Sequence, residues 1–252
     1  GRITYTEVRD CGQKFALGRY PIHFHGSGLS TYSFIIGTSV HHSQNRAHTI
    51  HGTQNVTWED NVVYDTFSHS FFIEVGNEIH NVFRNNLVMV SRACTSCLNQ
   101  DLTPANFWIT NPLNYFYDNV AAGSQSYGFW FALFNRGFRA SSRGDNNVGV
   151  PAEMCPQQMS IGAFDDNVVH SSGKYGFNIK PNWHPRQATY GCNSNVPKAN
   201  VVNNLTAYKN EIHGVHFKTA VGSIMFDGLV IADIGTHETE VSGVWTYSVA
   251  TN

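Results

Sequence analysis

Three histidines and a glutamate recur in matching settings along this chain. His23 and His25 lie in Tyr20-Pro-Ile-His-Phe-His-Gly, and His51 closes Ala47-His-Thr-Ile-His-Gly. Glu74 ends Ser70-Phe-Phe-Ile-Glu, shortly before Gly76. Imidazoles and a carboxylate held close perturb one another's protonation, which suits acid–base work. Glycan hydrolysis uses an acid and a base or nucleophile, usually two carboxylates. Glu74 is the leading carboxylate, with Asp60, Asp65 and Glu78 near it in sequence. Elimination from a uronic-acid polymer instead uses a base and a group that neutralises the uronate. His25, His51, His69 and Arg46 are candidates for those roles, and both chemistries stay open. Arg46 and Asp65 read equally well as a structural ion pair at a corner of the chain. His23-x-His25 with His51 and Glu74 also has transition-metal donor types, but the spacing is not diagnostic. No metal is assigned, and a cofactor is left open.

These residues need elements that bring distant segments into line, and a repeat supplies them. Trp58-Glu-Asp-Asn-Val-Val, Phe83-Arg-Asn-Asn-Leu-Val, Phe116-Tyr-Asp-Asn-Val-Ala and Phe164-Asp-Asp-Asn-Val-Val share one pattern. Val201-Val-Asn-Asn-Leu-Thr is a weaker copy. The Asn positions are 61, 86, 119, 167 and 204, with Gly228 in the last slot. Insertions of varying length around a short minimum period mark a solenoid whose loops grow at fixed corners. A second element follows each Asn: Ser70-Phe-Phe-Ile-Glu, Gly128-Phe-Trp-Phe-Ala, Gly176-Phe-Asn-Ile-Lys, Gly214-Val-His-Phe-Lys and Gly243-Val-Trp-Thr-Tyr. Alternation puts Phe129, Phe131, Phe177, Ile179, Val215 and Phe217 in the core. The fold predicted is all-β, a right-handed single-stranded parallel β-helix of the pectate-lyase-like kind, spanning 1–252 as one domain. An antiparallel sandwich is the alternative.

In that register the outward column carries His25, His51 and Glu74, one per coil, with His23 beside them. Further along, Trp130, Lys180, His216, Lys218 and Trp245 face outward. Indoles stack on sugar rings and lysines pair with uronates, so this row suits a polysaccharide. Lys180 and Lys218 also read as plain solvated charges. The two indoles also read as cover beneath a loop. The insertions at 134–160 and 181–199 are predicted to overhang one face.

Composition agrees with this reading. The chain has 252 residues, 13% of them charged, and a formal charge of −2, which leaves no basic field for nucleic acid. No apolar run is long enough to span a membrane. Asn (25) and Gly (22) are both abundant, and both favour turns over helices. Asn55-Val-Thr and Asn204-Leu-Thr are N-glycan sequons. The five cysteines suggest a local Cys94–Cys97 bridge or simple packing, and a Cys155–Cys192 bridge between two loops; one cysteine is left over. With Gly1 in place of Met, the chain reads as a mature or excised piece of a longer extracellular protein.

Gly18-Arg-Tyr-Pro-Ile-His-Phe-His, Ser39-Val-His-His-Ser-Gln-Asn-Arg, Ile50-His-Gly-Thr-Gln-Asn-Val, Asn61-Val-Val-Tyr-Asp and His69-Ser-Phe-Phe-Ile-Glu-Val-Gly-Asn-Glu occur in that order. Over about residues 8–90 they resemble the β-helix segment of the hyaluronan-binding and surface-hyaluronidase family that includes the fibrocystin-like receptors. The resemblance implies a β-helix within a large surface protein and a hyaluronan-like polysaccharide as partner. It carries both an enzyme reading and a scaffold reading, the latter an adhesive or structural segment of a surface protein or fibre, with self-assembly open. Such relatives read Glu-Asp-Gly where this chain has Glu74-Val75-Gly76, and Gly-His where it has Ser68-His69. If that Asp carries chemistry, this chain lacks it.

Overall fold

A computed structural model describes residues 1–95, 97, 99–137, 153–219, 221–235 and 241–246. Every pairing between its strands is parallel, which excludes the sandwich. The strands stack into two sheets. The second sheet has eight strands, one per coil, running from Glu7–Arg9 through Ser39–Ser43, Val62–Phe67 and Leu87–Arg92 to Val230–Ala232. The first sheet holds 14 strands. Its early members, Ile22–Ile36 and His48–Glu59, run long. Later coils divide the same path in two, as at Tyr127–Phe131 and Ala163–Asp165. The chain is therefore a parallel β-helix.

Two corners repeat because particular residues accept left-handed backbone. Asp60, Asn85, Asp118, Asp166 and Asn204 all have φ between 49° and 57°, followed by Gly228 at 74°. Asp and Asn tolerate this region better than most residues. The other corner uses His42, Asp65, Val90, Gly123, Ser171 and Lys209. Gly128, Gly176 and Gly214 share another slot for a steric reason. A Cβ there would lie 2.7, 2.7 and 2.9 Å from the carbonyl oxygen of the next coil.

The residue after the first corner forms a buried ladder. Nδ2 of Asn61, Asn86 and Asn119 donates to Oδ1 of the next Asn at 2.9, 2.9 and 3.0 Å, ending at Asn167. The second amide hydrogen of each goes to a backbone carbonyl, from Ile35, Trp58 and Phe83 respectively. Thr38 heads the row by donating to Asn61 Oδ1. Asn204 does not join it, contrary to the sequence expectation. Thr206 pairs with Val168, so Leu205, fully buried, fills the ladder slot. Asn204 and Gly228 instead hold the left-handed position one residue earlier.

The core is stacked aromatic. Phe71, Phe107 and Phe129 superpose ring on ring at 5.0 and 4.7 Å, and Trp58, Phe83 and Phe116 at 5.4 and 4.8 Å. Phe129, Phe131, Phe177, Ile179, Val215 and Phe217 are all buried there, as expected. Cys94–Cys97 and Cys155–Cys192 are bridged, and Cys11 is free and exposed.

Candidate functional site

Register builds the site. His25 pairs with His51. Ile73 pairs with Ile50 and the Glu74 N–H donates to the Ile50 carbonyl at 3.0 Å. His25, His51 and Glu74 therefore occupy one outward column on three successive coils. His51 Nδ1 lies 3.1 Å from Glu74 Oε2. The His25 and His51 rings stack with centroids 4.6 Å apart. His23 meets His25 edge-on at 5.1 Å and donates from Nδ1 to the Gly18 carbonyl at 3.1 Å. His25 is exposed, while His51 and Glu74 are half-buried.

The electrostatics follow from that packing. Burial opposes ionisation of Glu74, but the His51 hydrogen bond and the charges of His51, Arg46 and His23 outweigh it, so its pKa is lowered. An ionised carboxylate can only accept, so the hydrogen between Glu74 and His51 belongs to His51 Nδ1. Burial lowers the His23 pKa, against the Gly18 hydrogen bond and the Glu74 charge. Glu78 serves the backbone: Oε1 accepts from Gly52 N at 2.9 Å and Oε2 from Gly76 N at 2.8 Å. Its full burial raises its pKa against those donors.

Behind this column sits a closed ion pair. Arg46 Nε and Nη2 donate to Asp101 Oδ1 at 3.2 and 3.1 Å, and Nη1 donates to Tyr20 Oη at 2.9 Å. Its guanidinium lies 3.7 Å from the Phe72 ring centroid. Ser68 also donates to Asp101. His69 Nδ1 accepts from the Ala105 N–H at 3.0 Å, which leaves its hydrogen on Nε2, 3.7 Å from Asp101 Oδ1.

These facts correct several expectations. Arg46 does not pair with Asp65. Asp65 stands at a left-handed corner of the second sheet and pairs with Arg92 at 2.7 Å. Arg46 and His69 are buried and engaged with Asp101, so they support the column from behind and do not face a ligand. Asp101 comes from the short turn Asn99–Leu102, where no repeat signals it. Among the described residues, no group of three or more His, Cys, Asp or Glu side chains is arranged to hold a metal ion.

A second column runs beside the first. Successive pairings join His23, Thr49, Phe72, Trp108, Trp130, Asn178, His216 and Trp245. Trp130 and His216 point away from the central core, as expected, but both are buried rather than open. Trp130 packs in an outer cluster with Phe72, Trp108 and Tyr127. His216 stacks on Tyr175 at 3.9 Å and donates to Asn178 Oδ1 at 2.8 Å. Burial, followed by the charges of His213, Lys218 and Lys180, lowers its pKa to about 3, so Nδ1 bears the hydrogen of a neutral ring. Trp245 stacks on His216 at 4.9 Å. Lys180 and Lys218 follow the paired Ile179 and Phe217, one coil apart, and are exposed. Sequence reading passed over Trp108, although Phe107 and Ile109 flank it with the alternation that marked Trp130.

Beside Trp108 and Trp130 a cavity of about 660 Å³ opens, lined also by Phe134, Arg136 and Gln157. Described flanks of the 134–160 insertion thus line this cavity, while 138–152 lie outside the described residues.

A family model described as "CEMIP beta-helix" matches residues 1–177. Fibrocystin-L of Mus musculus is 42% identical over 82% of this chain, which spans 5% of that protein's length. The Cell surface hyaluronidase of Danio rerio is 33% identical over 70% of the chain, which spans 15% of its length. The Cell migration-inducing and hyaluronan-binding protein of Mus musculus is 27% identical over 94% of the chain, which spans 20% of its length. The model's reach over the first coils, the site column and the Asn ladder makes this chain a member of the CEMIP beta-helix family.

Proposed function

We propose that this β-helix binds an acidic polysaccharide outside the cell and cleaves it at the His25–His51–Glu74 column. The observation that carries the reading is the 3.1 Å contact between His51 Nδ1 and the ionised Glu74. A carboxylate held against one imidazole nitrogen orients the ring and stabilises its protonated form, which is how a carboxylate supports a histidine acid–base group. Of the carboxylates packed at this site, Asp101 and Glu78 are buried and fully engaged. Glu74 is the one that faces outward, which favours a histidine base over a pair of carboxylates. The related proteins named for hyaluronidase activity and hyaluronan binding supply the substrate class. N-glycans at Asn55 and Asn204 fit the same extracellular setting; Asn204 is exposed and Asn55 half-buried.

The test is the size distribution of hyaluronan after incubation with the purified protein. Cleavage is expected, with Glu74→Gln and His51→Gln each slowing it about a hundredfold or more. Elimination would leave a conjugated double bond that absorbs in the ultraviolet, whereas hydrolysis would leave a new reducing end without it. An unchanged rate in Glu74→Gln removes Glu74 from the chemistry. The single outward carboxylate also fits a second reading, a non-catalytic scaffold. Glycan binding with no cleavage by the unmutated protein selects it.

A further inference from the structure

The cavity beside the second column has a composition the proposed acid–base column does not use. Trp108 and Trp130 wall one side, with ring centroids 4.5 Å apart in a T-shaped pair. Trp130 is held by its Nε1–H, which donates to the Lys180 carbonyl at 3.4 Å. Trp108 is 6% exposed, and its Nε1–H has no hydrogen-bond acceptor among the described residues. That nitrogen is shut off from solvent, so Trp108 offers the cavity only its apolar ring. Among the described residues, the charged side chains lining the cavity are Lys180 and Arg136, with no carboxylate in that lining. Register ties the cavity to the acid–base column. Thr110 follows Ile109, Ala132 follows Phe131 and Lys180 follows Ile179, and these strands pair in turn. Glu74, Thr110, Ala132 and Lys180 thus form one line along the solenoid.

We propose that this cavity is a binding subsite for one acidic sugar residue. The apolar face of the sugar ring packs on the wall made by Trp108 and Trp130, and the carboxylate sits between Lys180 and Arg136. The glycan then runs parallel to the solenoid axis, with the bond at Glu74 about three coils, or ~14 Å, away. An aromatic wall beside two cations selects a ligand with both an apolar face and a negative charge. The subsite rests on the polysaccharide reading above, yet it does not require cleavage.

The experiment titrates the intrinsic tryptophan fluorescence of the Glu74→Gln protein with a hyaluronan octasaccharide and with the same octasaccharide after carboxyl reduction. The acidic probe is expected to bind about tenfold more tightly than the reduced one. Lys180→Gln combined with Arg136→Gln should erase that difference, and both are exposed positions at which folding is expected to survive. Trp130→Phe should weaken both probes. Equal binding of the two probes, absence of binding, or full affinity in the Lys180/Arg136 double variant would overturn the subsite. Product size in the unmutated protein is read separately. Loss of binding in the groove variants without any cleavage keeps the subsite and discards the catalytic reading. Cleavage with unaltered binding in those variants does the reverse.

Discussion

His48 shows how one side chain writes a pH dependence into the fold. Its ring is fully enclosed and stacks on Phe71 at 4.7 Å, and neither nitrogen has a hydrogen-bond partner among the described residues. Burial takes its pKa from 6.5 to about 3. Between those values the unfolded chain binds a proton that the folded chain refuses, so stability falls as pH drops below 6.5. Above 6.5 the penalty is absent. His48→Phe matches the Phe of the following coils, and it should gain about 2 kcal/mol more at pH 5 than at pH 8. Urea unfolding at both pH values measures this, and an equal gain would refute the assignment. Glu74 behaves oppositely. Its lowered pKa gives stability that is present above 4.5 and fades as pH falls through the folded value, so cleavage should fail on the acid side.

The Asn ladder shows what strand-and-corner elements contribute. Asn86→Ala removes the acceptor for Asn61 Nδ2 and for the Asn61 backbone N–H, and strips the Trp58 carbonyl of its donor. Several buried groups are orphaned at once, and the expected loss is about 3 kcal/mol or more. Asn204→Ala removes an exposed side chain that bonds Asp166 and puts Ala in a left-handed position, so a loss of only about 1 kcal/mol is expected. Thermal unfolding of the two variants separates them, and similar Tm shifts would contradict the ladder's role. The same pair of residues shows where sequence reading reached its limit. The aromatic-x-x-Asn pattern revealed the coils because a buried amide ladder needs Asn. At residues 203–205 two adjacent Asn precede Leu, and only strand register shows that the second Asn holds the turn. Phe129→Ala, which opens the ring stack, should cost about 3–5 kcal/mol.

Across the whole molecule, the fold and the His25–His51–Glu74 line were legible because stacking converts sequence repeats into columns. The ion pair behind that line was not. Asp101 reaches Arg46 from a turn beyond the repeat, and nothing periodic predicts where an inserted loop returns. Burial of Trp130 was hidden for a different reason, since its cover is Tyr127 and Trp108 packed against its ring, and strand alternation does not show how closely outward side chains pack. A ligand laid along several coils should bind in proportion to the coils it spans. Affinity for hyaluronan oligosaccharides should therefore rise with length and then level off once the line from Glu74 to Lys180 is covered, as read by calorimetry. Length-independent affinity would confine binding to a single point. With a formal charge of −2, the protein offers little long-range attraction for a polyanion, and moderate rather than steep loss of affinity with salt is expected.

The amides of the ladder all point the same way. Each Nδ2–H on an earlier coil meets Oδ1 on a later one, so their dipoles add head to tail as peptide units do along an α-helix. Thr38 closes the negative end with its hydroxyl. At the positive end the Asn167 amide is met by the carbonyls of Phe116 and Asp165. Reversing one amide would set oxygen against oxygen on one side and hydrogen against hydrogen on the other, and the backbone carbonyls on Nδ2 and backbone N–H groups on Oδ1 oppose reversal of the whole row as well. The solenoid thereby carries a fixed electrical direction along its axis, one that its near-zero net charge conceals.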